Sequence, residues 1–282
     1  MAEILYGKPV TESIRNDIRE RAKKIRDAGT MPRLAVLRSG ERLDDLAYEK
    51  RVFKICDDIG ISHMTCQVDR DVSQRELELE LSQLNSDRMV HGILVFRPLP
   101  DHIDDELICS IMSVDKDIDC MNPNNLKYLF TGLKEGFAPC TPEAVIALLD
   151  YYGYDLDGAN VVIVNRSLVL GKPLAMLFMN RNATVTVCHS HTKDLPEITR
   201  RADILVTGIG SPHYFGPEYV GSNTTVIDVG INFDENGKMT GDVDFDRVKD
   251  KVAAISPVPG GVGGITSTIL LRHLIESAER YI

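Results

Sequence analysis

The sequence predicts an α/β protein of two domains, and three observations predict it. Short apolar strands alternate with amphipathic helices along nearly the whole chain, the pattern of parallel sheets covered by helices. The chain has 282 residues, more than one typical domain. The rhythm breaks at Pro139-Cys140-Thr141-Pro142 and starts afresh after it.

The elements follow in order. Residues 11–28 are charged with helical spacing and predict a helix. Residues 33–37 are an apolar run too short for a helix and predict a strand. Residues 47–59 predict a helix that Gly60 stops. Residues 74–85 predict another helix. Residues 91–95 read as a buried strand, closed by Pro98-Leu99-Pro100. A helix is expected over 104–112 and an irregular stretch over 115–142. Beyond Pro142 the pattern predicts helices over 144–152, 172–179 and 195–202. It predicts strands over 160–164, 184–188, 204–206, 225–229 and 253–255. The expected domains are therefore 1–141 and 142–264. The last helix, within 265–282, is expected to pack back on the first domain and make it discontinuous.

Composition narrows the partners. The chain has 32 basic and 42 acidic residues, a net charge of −10, which argues against nucleic acid or an anionic membrane. An anionic ligand needs a local cationic pocket. No apolar run reaches membrane-spanning length. The N-terminal MAEILYGKPV has no basic region followed by an apolar core, so a cytoplasmic protein is expected. The six cysteines form no CxxC pair and no zinc spacing, so reduced, mostly structural thiols and no metal are expected.

Three segments carry candidate chemistry. Residues 257–263, PVPGGVG, hold two prolines and three glycines before an apolar helical run. Such a loop lets backbone approach a ligand closely, or simply connects two domains tightly. Strand 161–164 runs into Asn165-Arg166-Ser167 and a helix start near Gly171-Lys172-Pro173. That βα turn suits a phosphate at a helix N-terminus, with Asn165 able to adopt left-handed geometry and Arg166 and Ser167 adding donors. The strict GxGxxG fingerprint is missing, and an ordinary capped turn is the competing reading. The strand ending at Cys188 is followed by His189-Ser190-His191-Thr192, with no acidic residue to read a ribose 2′-hydroxyl, which leans to NADP over NAD. The third segment, Asp115-Lys116-Asp117-Ile118-Asp119 and the Asn residues after it, suits a bidentate grip on an N–H edge, or surface Asx turns.

Together these pieces resemble the bifunctional methylenetetrahydrofolate dehydrogenase/cyclohydrolases. The matching motifs are Gly92-Ile93-Leu94-Val95 with Pro98-Leu99-Pro100, the Asp115 to Asp119 run, Pro139-Cys140-Thr141-Pro142, the Arg166-Ser167 turn, the segment from Val226 to Asn232, and PVPGGVG. The resemblance implies an N-terminal α/β substrate domain plus a Rossmann-like NAD(P)-binding domain, with a cleft between them, as a homodimer. It implies that Asp119 binds the pterin and Tyr48 stacks on the folate, both as catalytic-site residues. Asn165, Arg166, Ser167, Ser190 and Ile231 would contact NADP, and Pro259, Gly260 and Gly261 would lie where the two ligands meet.

The chain also departs from the family. Its active-site helix carries Tyr-x-x-x-Lys, but Val52 stands four residues after Tyr48. The Gln that partners the lysine is Phe96, followed by Arg97, and the family's Gly-Pro-Met-Thr is Gly263-Gly264-Ile265-Thr266. Lys50 and Lys54 project away from the Tyr48 face; Arg51 is nearer but cannot act as a base. Hydride transfer needs chiefly positioning, whereas water addition needs a base. The expectation is a methylenetetrahydrofolate dehydrogenase with cyclohydrolase activity weak or lost. The alternatives are a fully bifunctional enzyme in which another group replaces the lysine, and a non-catalytic folate or nucleotide binder.

Overall fold

The computed structural model describes residues 2–133, 135–235 and 237–282. The chain forms two compact units. One comprises the chain up to Glu12 together with Pro139–Thr266; the other comprises Ser13–Ala138 and Ser267–Ile282. The N-terminal strand β1 (Glu3–Ile4) and the first turns of α1 (Gly7–Asp27) therefore belong with the second half of the sequence. This corrects the expected boundary, which put all of 1–141 in one domain. A two-residue strand carries no periodic signal, so its partner was invisible in the sequence.

The Ser13–Ala138 unit is built on three parallel strands, β2 (Arg33–Ser39), β3 (Ser62–Val68) and β4 (Gly92–Val95), in the order β3-β2-β4. Helices α2 (Leu43–Ile59), α3 (Gln74–Ser86) and α4 (Asp105–Ile111) follow the three strands. Each start and stop has a local cause. Ser73 and Glu76 form a reciprocal capping box at α3, and Gly60 ends α2 in left-handed geometry. The stretch expected to be irregular contains α5 (Pro123–Thr131), capped by Asn122, begun by Pro123 and ended by left-handed Gly132. Its asparagines, read as ligand or turn candidates, hid a helix start. Leu77, Leu81, Ile93, Ile108 and their neighbours form the core.

The other unit contains α6 (Cys140–Tyr151), β5 (Asn160–Val164), α7 (Gly171–Met179), β6 (Thr184–Cys188), α8 (Leu195–Thr199), β7 (Ile204–Thr207) and β8 (Thr225–Asp228). An antiparallel pair, β9 (Asn232–Phe233) and β10 (Met239–Thr240), then α9 (Phe245–Val248) and β11 (Ala254–Ile255), complete it. Its main sheet is parallel, in the order β1-β11-β8-β7-β5-β6. Strands β7 and β8 are buried throughout and β5 from Val161 onward, which explains the Val, Ile and Leu residues at their centres. Helix α10 (Gly263–Glu279) follows, and from Ser267 it belongs to the Ser13–Ala138 unit. Gly92 leaves room for it: a Cβ there would lie 2.5 Å from Leu274 Cδ1. No helix among the described residues is long and apolar enough to cross a membrane.

Candidate active site

Each parallel sheet has one place where the chain leaves a strand in opposite directions. Ligands of open α/β sheets bind there, outside the carboxyl ends of the strands. In the smaller sheet that place lies between β2 and β4. A cavity of about 670 Å³ occupies it, lined by residues 39–43 after β2, by residues 98–102 after β4, and by Arg70. Arg42 and Arg70 bring positive charge to its lining, and Glu41 and Asp101 bring carboxylates.

Helix α2 begins at this cavity and carries Tyr48, half-buried. The Tyr48 ring stands 5.7 Å from the Phe96 ring at an interplanar angle of 46°, and the Arg51 guanidinium carbon lies 5.9 Å from its centroid. Val52 is fully buried on α2 and Phe96 nearly so, so neither presents a titratable group. Glu49 is held from the sheet side. Arg38 Nε donates to its Oε2 at 2.9 Å and Thr65 Oγ1 donates to its Oε1 at 2.5 Å.

Asp119 is half-buried in a turn that its neighbour Asp117 organises. Asp117 is fully buried and accepts the N–H groups of Met121 (2.8 Å) and Asn122 (2.7 Å) and the Asn125 amide (2.7 Å). Burial raises its pKa, and those three donors oppose the rise. The turn needs left-handed geometry at Cys120, φ 60°. His273 of α10 bonds the Ile118 carbonyl through Nδ1 at 2.8 Å, fixing the same turn from behind.

In the larger sheet the divergence lies between β5 and β7. Asn165, at the end of β5, bridges it: its Nδ2 donates to the Gly208 carbonyl, just past β7, at 2.5 Å. Its Oδ1 accepts the N–H of Ser167 (2.8 Å), the N–H of Gly171 (2.9 Å) and the Ser167 hydroxyl (2.8 Å). Asn165 is therefore not the left-handed residue expected; its side chain shapes the turn instead. Gly171 must be glycine, because a Cβ would meet the Asn165 carbonyl oxygen at 2.0 Å. The turn is a tight backbone cradle at the start of α7, the form a phosphate needs. Arg166 is exposed beside it, and Ser190 is exposed after β6.

Two buried carboxylates that the sequence reading missed hold the neighbouring loops. Asp228 accepts the N–H groups of Gly230, Asp242 and Val243 at 2.9, 3.2 and 2.8 Å. Asp242 accepts those of Ile209 and Ser211 and the Asn232 amide at 2.5, 2.9 and 2.9 Å. Exposed Ile231 sits between these anchors. Burial, aided by the Asp242 charge, pushes the Asp228 pKa up to about 6. Pro259, Gly260 and Gly261 follow β11; Gly260 has φ 111°, and Gly7 donates to its carbonyl at 2.8 Å. Ile231 lies close to this loop's end, 3.9 Å from a Cβ placed on Gly263. Among the described residues no cluster of His, Cys, Asp or Glu could hold a metal ion.

Known proteins match this arrangement along the whole chain. The family described as tetrahydrofolate dehydrogenase/cyclohydrolase matches through its catalytic domain over residues 5–119 and its NAD(P)-binding domain over residues 139–282. The bifunctional protein FolD of Clostridium botulinum is 49% identical over 280 residues, 99% of each chain. The bifunctional protein FolD 1 of Desulfitobacterium hafniense is 47% identical, covering 99% of both chains. The crystal structure of the bifunctional FolD enzyme from Campylobacter jejuni superposes with a TM-score of 0.97 at 39% identity, covering 100% of each chain. The Trypanosoma brucei dehydrogenase–cyclohydrolase, solved with NADP and an inhibitor, gives 0.91 at 34% identity, with 99% and 98% covered. The chain belongs to the tetrahydrofolate dehydrogenase/cyclohydrolase family.

Proposed function

We propose that this chain is a bifunctional enzyme of one-carbon folate metabolism. It oxidises 5,10-methylenetetrahydrofolate with NADP and then hydrolyses the methenyl product. The observation that carries this reading is the pair of switch-point sites, one holding Tyr48 beside a cavity that Arg42 and Arg70 line, the other a phosphate cradle made by Asn165 and Gly171. The expected loss of hydrolysis finds no support among the relatives: proteins 47 and 49% identical over nearly the whole chain carry the name bifunctional. The former alternative, both activities, is therefore the reading taken.

The residues divide the work. Asp119 accepts the N–H edge of the pterin, held in register by the Asp117 turn. The Tyr48 ring packs on the folate. The carboxylate end of folate reaches the cavity side lined by Arg42 and Arg70. Asn165 and the α7 N-terminus hold the cofactor phosphates; Arg166 and Ser190 are available to a ribose phosphate, which favours NADP while leaving NAD possible. Ile231 and the backbone of Pro259, Gly260 and Gly261 pack against the reacting rings. Bound NADP supplies the hydride acceptor. A homodimer is proposed with this reading, as the family resemblance implies. A cytoplasmic setting is supported by six free thiols.

The test is one cuvette with methylenetetrahydrofolate and either NADP or NAD, following reduced nicotinamide and methenyl-folate together. The reading expects reduced nicotinamide, faster with NADP, without methenyl build-up. Persistent methenyl-folate would return the enzyme to a dehydrogenase alone. No reduced nicotinamide would overturn the enzyme reading.

A further inference from the structure

Hydrolysis without the lysine requires another base near Tyr48. The charged groups there can be taken in turn. Both oxygens of Glu49 are engaged, by Arg38 and Thr65. Arg51 carries a guanidinium, which has no acceptor to serve as a base. Lys50 and Lys54 are exposed. Asp105 is paired with Arg97. His102 bonds the Val72 carbonyl through Nε2 at 2.9 Å.

Asp45 remains. It lies in the first turn of α2, three residues before Tyr48 and seven before Val52. Seven residues are nearly two full turns, so Asp45 and Val52 share one azimuth on the helix, on either side of the Tyr48 level. The Asp45 side chain is 15% exposed, whereas that of adjacent Asp44 is 67% exposed. Asp45 is the more buried of the two, two residues beyond Leu43, the last cavity-lining residue of this segment. Arg42 Nε lies 3.8 Å from the Asp45 Oδ2, a long ion pair.

We propose that Asp45 is the general base of the hydrolytic half-reaction, taking the part that a lysine on the far side of Tyr48 plays in the family. The proposal rests on the bifunctional reading above. A water adds to the methenyl carbon, forming a C–O bond, and passes one proton to the Asp45 carboxylate, which releases it to solvent. The remaining hydroxyl proton goes to the departing ring nitrogen as the C=O bond forms and one C–N bond breaks. Methenyl cation and water thus give the formyl product and one proton. Burial raises the Asp45 pKa, with Asp44 and Glu49 adding to the rise and Arg42 and Arg38 opposing it. That moves a carboxylate toward the range where it serves as a base.

The experiment compares wild type, Asp45→Asn and Asp45→Glu with added methenyl-tetrahydrofolate, and measures NADP reduction on methylene-tetrahydrofolate in parallel. Asp45→Asn is expected to lower the ratio of hydrolysis to hydride transfer at least ~100-fold. Wild-type hydrolysis is expected to fall on an acid limb, which Asp45→Glu keeps at a displaced pH. An unchanged ratio in Asp45→Asn, with wild type hydrolysing normally, overturns the assignment of Asp45 alone. A wild type that reduces NADP but leaves methenyl-folate intact overturns both this and the bifunctional reading.

Discussion

Gly7 donates its N–H to the Gly260 carbonyl at 2.8 Å, and a Cβ on Gly7 would sit 2.0 Å from the Gly261 carbonyl oxygen. The N-terminal segment thus clamps the backbone of the PVPGGVG loop, at the start of α1, more than 250 residues away in sequence. Backbone atoms cannot swing aside as a long side chain can.

The first prediction is for Gly7→Ala. The added methyl must push the loop by an ångström or more. Misplacement of that size can cost about 100-fold in rate when the loop positions reacting groups. We expect kcat for NADP reduction to fall about 10- to 100-fold while the far-ultraviolet circular dichroism is kept. Wild-type kcat in a folded Gly7→Ala would remove the clamp's role.

Asn165→Ala removes the bridge across the larger sheet's switch point. Three acceptor contacts and one donor contact are lost, and the Gly208 carbonyl and Gly171 N–H lose their partner. Unsatisfied groups of this kind cost ~1–3 kcal/mol each when buried. The cradle should loosen, raising KM for NADP at least about tenfold with a smaller change in KM for folate. Equal changes in both constants would mean that Asn165 serves general stability only.

Asp228 gives a pH dependence with a definite sign. Its folded pKa, about 6, lies above its ordinary value of 3.8. Between those values the folded state keeps a proton that the unfolded chain releases. This group's contribution therefore falls as pH rises through the window, then levels off. At pH 7 the cost is about 3 kcal/mol by linkage. Asp228→Asn should flatten that part of the stability curve, while losing some stability throughout because an amide cannot accept all three N–H groups. Urea midpoints from pH 4 to 7.5 for both proteins check this; parallel curves would sink the assignment.

Much of the fold was legible because β5, β7 and β8 are buried runs and the long helices are amphipathic. What escaped had no periodicity to show. β1 is two residues long, and α5 starts in the polar Asn122-Pro123-Asn124-Asn125 run, where capping chemistry looks like a turn. Strand β3 is half-exposed and mixes Ser, His, Thr and Gln, so its alternation was weak. At the proposed site, motifs pointed to Tyr48, Asp119 and Asn165. The anchoring part played by Asp117, Asp228 and Asp242 was not legible, because a buried carboxylate that accepts backbone N–H groups looks in sequence like any surface aspartate.

The last prediction concerns Val52. Restoring the family lysine by Val52→Lys puts an ammonium into a position with no solvent exposure. Phe96, whose ring lies 5.7 Å from that of Tyr48, has no hydrogen-bonding group to offer it. An unpaired buried amine either loses its proton or destabilises the fold. We expect a loss of about 3 kcal/mol in urea unfolding and no gain in methenyl hydrolysis. Adding Phe96→Gln supplies an amide oxygen to the amine, so the double variant should recover part of that loss. The non-additivity should be at least about 1 kcal/mol, measured by a double-mutant cycle. Additive effects would show that the two positions are not coupled and that Val52 and Phe96 are independent departures from the family pattern. A single Val52→Lys variant that is as stable as wild type and hydrolyses methenyl-folate faster would mean that the helix face opens to solvent and that the lysine position is still catalytically live.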